Sequence, residues 1–229
     1  MKLMDISSLN ALSNALNGVD IGESILYGRV EAYSCKMTGN DRKLQVALEQ
    51  NFQEQLAASP SADRLSMSPF GPLTDRLSRQ TLIYLITTLN CAFPYYDFSE
   101  AAPEQFHKEV SANVAVHQVS SLLSKASMFT DDMRSRMWNT IDSEIQMSDC
   151  DVYSFNPDSD SDPFNEEGNS VWSFNYFFYN RRLKRILLVT CRAEHKMPEE
   201  NLLVETSMGG DLSSRDYETW VYDEMDVDQ

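Results

Sequence analysis

The sequence predicts a mixed α/β protein of the α+β kind: an antiparallel sheet of four to five strands packed with helices in a layered sandwich. Two observations carry this. Residues 172–179, WSFNYFFY, place six aromatic residues among eight and run through Asn180-Arg181 into a second β-rich stretch, which reads as a hairpin. Between residues 79 and 147 the apolar spacing is instead that of helices.

In chain order, Leu9, Leu12 and Leu16 lie at helical spacing within residues 4–17, and Gly18 suits a stop. Residues 25–35, ILYGRVEAYSC, are rich in β-formers and predict a strand. TGND at 38–41 predicts a turn, with Asp41 capping a helix over about 41–57. Residues 58–78 hold three prolines and five serines without sustained periodicity, which predicts a flexible loop. From 79 to 91, Leu82, Ile83, Leu85, Ile86 and Leu89 are apolar almost all round, as in a buried helix. Two more helices are expected over 104–126 and 131–147, the second capped by Thr130 and Asp131. Strands follow at 150–156, 171–179 and 182–191. Along 172–179, Trp172, Phe174, Tyr176 and Phe178 share one face, so helices are expected on one or both sides of the sheet. A single globular domain over 1–196 and an acidic, disordered tail over 197–229 complete the expectation.

No apolar run approaches the ~20 residues of a membrane span, and MKLMDISSLN lacks the pattern of a secretory leader, so an intracellular protein is expected. Cys35, Cys91, Cys150 and Cys191 are widely spaced and read as structural thiols. The net charge of −16 is distributed in blocks. Residues 142–167 carry nine acids and no base, whereas 168–192 carry five bases and no acid; 193–229 return to eleven acids against two bases. A strongly acidic chain is poorly suited to sequence-independent DNA binding, which needs many phosphates neutralised.

Catalytic, cofactor and metal residues are not assigned. His107, His117 and His195 share no metal-ligand spacing, and no glycine-rich phosphate loop is present. Asp158, Asp160 and Asp162 alternate like the opening of a calcium loop, but Pro163 and Asn169 stand where that loop needs glycine and glutamate. These aspartates read instead as a solvated connection and a candidate partner-contact loop. Arg181, Arg182, Lys184 and Arg185 form a basic patch, either a solvated strand start or a docking segment for an import receptor or an acidic partner. The neighbouring rings leave open an RNA- or DNA-binding module over 171–186, although the glycines of RNA-binding sheets are missing. Ser59 and Ser68 precede prolines and, with Thr74, are phosphorylation candidates; each phosphate would add roughly two negative charges.

Three segments together carry a family resemblance. GRVEAYSCKMTGNDR (28–42), CDVYSFNPDSDSDPFNEEG (150–168) and VWSFNYFFYNRRLKRI (171–186) resemble the conserved boxes of the Maf-type repressor of RNA polymerase III transcription, a negative regulator unrelated to basic-zipper Maf factors. RQTLIYLITTLN and YYDFS resemble the stretch between those boxes. The resemblance implies a non-enzymatic protein without cofactors that binds RNA polymerase III near its clamp. It would block assembly of the polymerase with promoter-bound initiation factors, TFIIIB being a candidate contact. It also implies shuttling between nucleus and cytoplasm, governed by a kinase and a phosphatase acting on the 58–78 loop. Ser59, Ser68 and Thr74 stand where that control would fall, and Arg181, Arg182, Lys184 and Arg185 align with the family's import segment. The loop lacks an Arg-Arg-x-Ser site, so proline-directed or TOR-type control fits better than a basophilic kinase.

Overall fold

Three eleven-residue strands, β3 (Ser24–Ser34), β7 (Arg185–His195) and β6 (Ser170–Asn180), form the centre of one antiparallel sheet. The computed structural model describes residues 1–37, 39–58, 68–157 and 169–196. The strand order is β1-β3-β7-β6-β5-β4, where β1 is Lys2–Met4, β4 Phe106–Lys108 and β5 Asp151–Phe155. A further strand, β2 (Asn17–Asp20), pairs with β3 through a bulge. Among the described residues seven strands thus stand where four to five were expected. The additional ones, β1, β2 and β4, are only three or four residues long, too short for a two-residue period to emerge from the sequence.

Because successive side chains of a strand point to opposite faces, each central strand feeds two cores. On one face Val30, Phe174, Phe178, Leu187 and Val189 meet helices α1 (Ser7–Leu16), α4 (Ala112–Leu123) and α5 (Asp131–Ile145). On the other, Tyr33, Tyr153, Phe177, Tyr179, Ile186 and Leu188 meet α2 (Gly39–Ala58) and α3 (Arg76–Ala92). The result is a helix–sheet–helix sandwich, with helices on both sides of the sheet. Leu82, Ile83, Leu85, Ile86 and Leu89 of α3 are all fully buried, which explains its nearly all-round apolar pattern. Thr87 and Thr88 are also buried there, and each hydroxyl donates to the carbonyl four residues earlier.

Two expected boundaries move. The helix expected over 104–126 starts only at Ala112, because Pro103–Gln105 makes one tight turn and Phe106–Lys108 pairs with β5. Phe106 is almost fully buried among aromatic neighbours, so its ring decides the local structure over helix propensity. Within the loop expected over 58–78, the described residues 68–75 form turns and α3 starts at Arg76. Ser68 bonds through its hydroxyl to the Gly71 carbonyl, Gly71 takes φ +94°, and Phe70 stacks on Tyr153 at 5.1 Å. Residues 59–67 lie outside the described residues, as do 158–168 and the acidic segment 197–229.

A candidate docking surface at the hairpin tip

The β6–β7 connection spans residues 181–184 rather than a two-residue turn. Asn180, fully buried, organises it: its side-chain carbonyl accepts from the Leu183 amide at 3.0 Å, and its side-chain amide donates to the Ile145 carbonyl at 2.9 Å. Lys184 closes the turn in the left-handed region, at φ 51°, and its carbonyl accepts from the Cys35 amide at 2.9 Å.

The four cations of this turn divide by partner. Arg185 donates to the Glu144 carbonyl at 2.5 Å and lies 3.7 Å from its carboxylate, a favourable place for a cation at the C-terminus of α5. Arg182 reaches Asp149 at 2.6 Å and Gln146 at 2.5 Å. Arg181 pairs with Asp151 at 3.0 Å and lies over the Tyr179 ring. Lys184 is exposed and forms no ion pair among the described residues. Much of the basic block is therefore matched by Glu144, Asp149 and Asp151, which belong to the neighbouring acidic block. Sequence reasoning missed these pairs, although two adjacent blocks of opposite charge were their signal.

Beside the tip is a cavity of about 610 Å³ between the end of the sheet and the start of α3. Lys36, Arg181 and Lys184 contribute cations to its lining, Leu77 and Leu183 contribute apolar surface, and no carboxylate lines it among the described residues. Tyr84 and Tyr179, ring to ring at 6.0 Å, are also part of its wall. Burial pushes both phenols upward, so each keeps its proton at neutral pH. Lys36, Leu77 and Tyr84 were invisible as site residues in the sequence, since only the fold brings β3 and α3 to the hairpin. Leu77 is 64% exposed in the first turn of α3.

Two other cavities lie elsewhere on the described surface. One of about 890 Å³ lies between β4, α4 and β6, with Glu104, His107, Glu109 and Asn175 in its wall. Asn175 is buried with neither side-chain amide atom hydrogen-bonded. Another, of about 510 Å³, is lined by Tyr27, Arg29, Tyr95 and Arg192; Arg29 donates to the Ala92 carbonyl at 3.1 Å and lies 4.9 Å from the Phe93 ring.

The remaining sequence-derived candidates are placed as follows. Ser68 is half-buried in its turn, and Thr74 is exposed just before Asp75, the N-cap of α3. Ser59, Asp158, Asp160 and Asp162 lie outside the described residues. All four cysteines are free thiols. Burial pushes Cys35 and Cys150 up to about 12 and raises Cys91 and Cys191 as well, which disfavours the nucleophilic thiolate. Among the described residues no three or more His, Cys, Asp or Glu side chains converge as a metal site, and no helix is long and apolar enough to cross a membrane.

Fold and surface together define an α+β protein whose distinctive features are charged, partly apolar pockets at the ends of a covered sheet. The chain belongs to the Maf1 family: the family model described as Maf1 regulator matches residues 26–190. A Dictyostelium discoideum protein named repressor of RNA polymerase III transcription is 34% identical, over 86% of each chain. A Schizosaccharomyces pombe protein, named repressor of RNA polymerase III transcription maf1, is 37% identical over 83% of this chain and 82% of its own. A crystal structure of citrus MAF1 superposes with a TM-score of 0.65 at 33% identity, covering 84% of this chain and 99% of that one.

Proposed function

We propose that this protein represses transcription by RNA polymerase III through protein–protein contact. The observation that carries the reading is the Dictyostelium relative, whose name states that activity and whose alignment spans 86% of both chains. Repression by occupancy needs a rigid surface and no bond-making chemistry. The polymerase, near its clamp, is the proposed partner, and the proposed effect is to block its assembly with promoter-bound TFIIIB. Phosphorylation of Ser59, Ser68 and Thr74, opposed by a phosphatase, is proposed to weaken that contact. We further propose that the protein moves between nucleus and cytoplasm with its phosphorylation state, using the basic turn 181–185 for import.

The test is factor-dependent transcription of a transfer-RNA gene with purified, unphosphorylated protein added. Output is expected to fall as protein is added and to recover when polymerase is supplied in excess. Undiminished output at saturating protein refutes the reading. A nucleic-acid module built on the hairpin is disfavoured by burial: Phe174, Phe177 and Phe178 are packed in the two cores and are unavailable for stacking on bases.

A further inference from the structure

We propose that the cavity between the hairpin tip and the start of α3 is a docking site for an acidic peptide segment of a partner protein, one carrying a large apolar side chain. The first support is charge. In a chain of net charge −16, this pocket has Lys36, Lys184 and the Asp151-paired Arg181 in its wall and no carboxylate among its described lining residues. The second is hydrogen-bond polarity. Two ammonium groups and a guanidinium are donor-only groups in this wall, which matches carboxylate oxygens.

The third support is apolar exposure at the rim. Leu77 is 64% exposed and Leu183 39%, two large apolar residues flanking one cationic pocket. A ligand that buries them while its carboxylates meet the cations uses both features, whereas a bare phosphate uses only one. The fourth is backbone strain. Lys184 adopts φ 51°, a region that lysine enters at a cost, and no described residue makes an ion pair with its side chain. Glycine would close the same turn with less strain. The turn is also preorganised, through Asn180 within it and the Cys35 amide across from it.

The inference rests on the repressor reading only in taking the partner to be a protein. It is tested on the full chain by fluorescence anisotropy with a short labelled peptide of Asp, Glu and Leu, alongside inorganic phosphate and a single-stranded RNA. The peptide is expected to bind in a salt-sensitive way, and Lys36→Glu with Lys184→Glu to weaken it by about tenfold. Arg136→Glu, an exposed charge change on α5, is expected to leave binding unchanged. Lys184→Gly separates the strained cation from the fold: it is expected to weaken the peptide without lowering the melting temperature. Absence of peptide binding at low salt, tighter binding of RNA, or equal loss in Arg136→Glu overturns the proposal. Repression that persists in the transcription assay while peptide binding is absent refutes the pocket and leaves the repressor reading standing.

Discussion

Asn180 donates its side-chain amide to the Ile145 carbonyl at 2.9 Å, joining the end of β6 to the end of α5 across 35 residues of chain. That carbonyl is one of the groups a helix leaves without an internal partner at its C-terminus. Arg185 meets the adjacent one, at Glu144. The hairpin turn is thus also a helix cap, and this is a structural reason for polar and basic residues to follow an aromatic strand.

Replacing Asn180 with alanine removes both bonds at a fully buried position and leaves the Ile145 carbonyl and Leu183 amide without these partners. The expected loss is about 2–3 kcal/mol. Urea denaturation at neutral pH measures it, and a midpoint equal to that of the parent would refute the capping role.

Gly28 tests a close approach between α1 and β3. A Cβ there would lie 2.8 Å from the Leu16 Cβ and 2.9 Å from the Cys191 sulfur. Gly28→Ala is expected to destabilise by about 1–3 kcal/mol through overpacking. Adding Cys191→Ala should return part of the loss; no recovery would place the clash on the Leu16 side alone.

The central hairpin and buried helix α3 were legible because each has enough residues for its period to show. In β6, Trp172, Phe174, Tyr176 and Phe178 face one core and Phe177 and Tyr179 the other, and Leu82, Ile83, Leu85, Ile86 and Leu89 of α3 are all buried. The short strands were not legible, and the helix expected from residue 104 failed because Phe106 gains more from edge-strand packing against Phe155 than from helix formation. The candidate surface was half legible. Arg181 and Lys184 stand out in the sequence, but Lys36 and Leu77 reach the same cavity from elements far away along the chain. Nothing in a linear pattern encodes that meeting.

Alkaline pH should destabilise the fold before acid chemistry is considered. Burial raises Cys35 and Cys150 from the ordinary thiol value to about 12, and Tyr176 from the ordinary phenol value to about 12. These groups keep their protons longer when folded than when unfolded. Their contribution is therefore fully present below pH about 9, the ordinary thiol value, and is lost progressively as pH rises toward 12. Urea midpoints are expected to fall over that interval; a midpoint that rises there contradicts the assignment. At pH 8, half-exposed Cys91 and Cys150 should react with a thiol reagent before buried Cys35 and Cys191.

Ser68 and Thr74 are close in sequence, yet a negative charge is expected to act on them in opposite directions. The Ser68 hydroxyl bonds to the Gly71 carbonyl and accepts from the Phe70 amide at 3.3 Å, a turn that presents Phe70 to Tyr153 and Phe106. A phosphate on that half-buried oxygen removes its donor proton and adds a group that must reach water. Ser68→Glu is therefore expected to destabilise by about 1–2 kcal/mol and to speed amide exchange over 68–75. Thr74 is exposed at the entrance to α3, where its carbonyl accepts from Arg79 at 2.8 Å. An anion there meets the positive end of the helix, so Thr74→Glu is expected to be neutral or to stabilise by up to about 1 kcal/mol. Denaturation and hydrogen exchange on the two variants decide the point. Equal destabilisation by both would mean that charge in this segment acts without regard to the turn and helix entrance. The expected split would make Ser68 the site where modification loosens the fold, and Thr74 the site where modification changes surface charge alone.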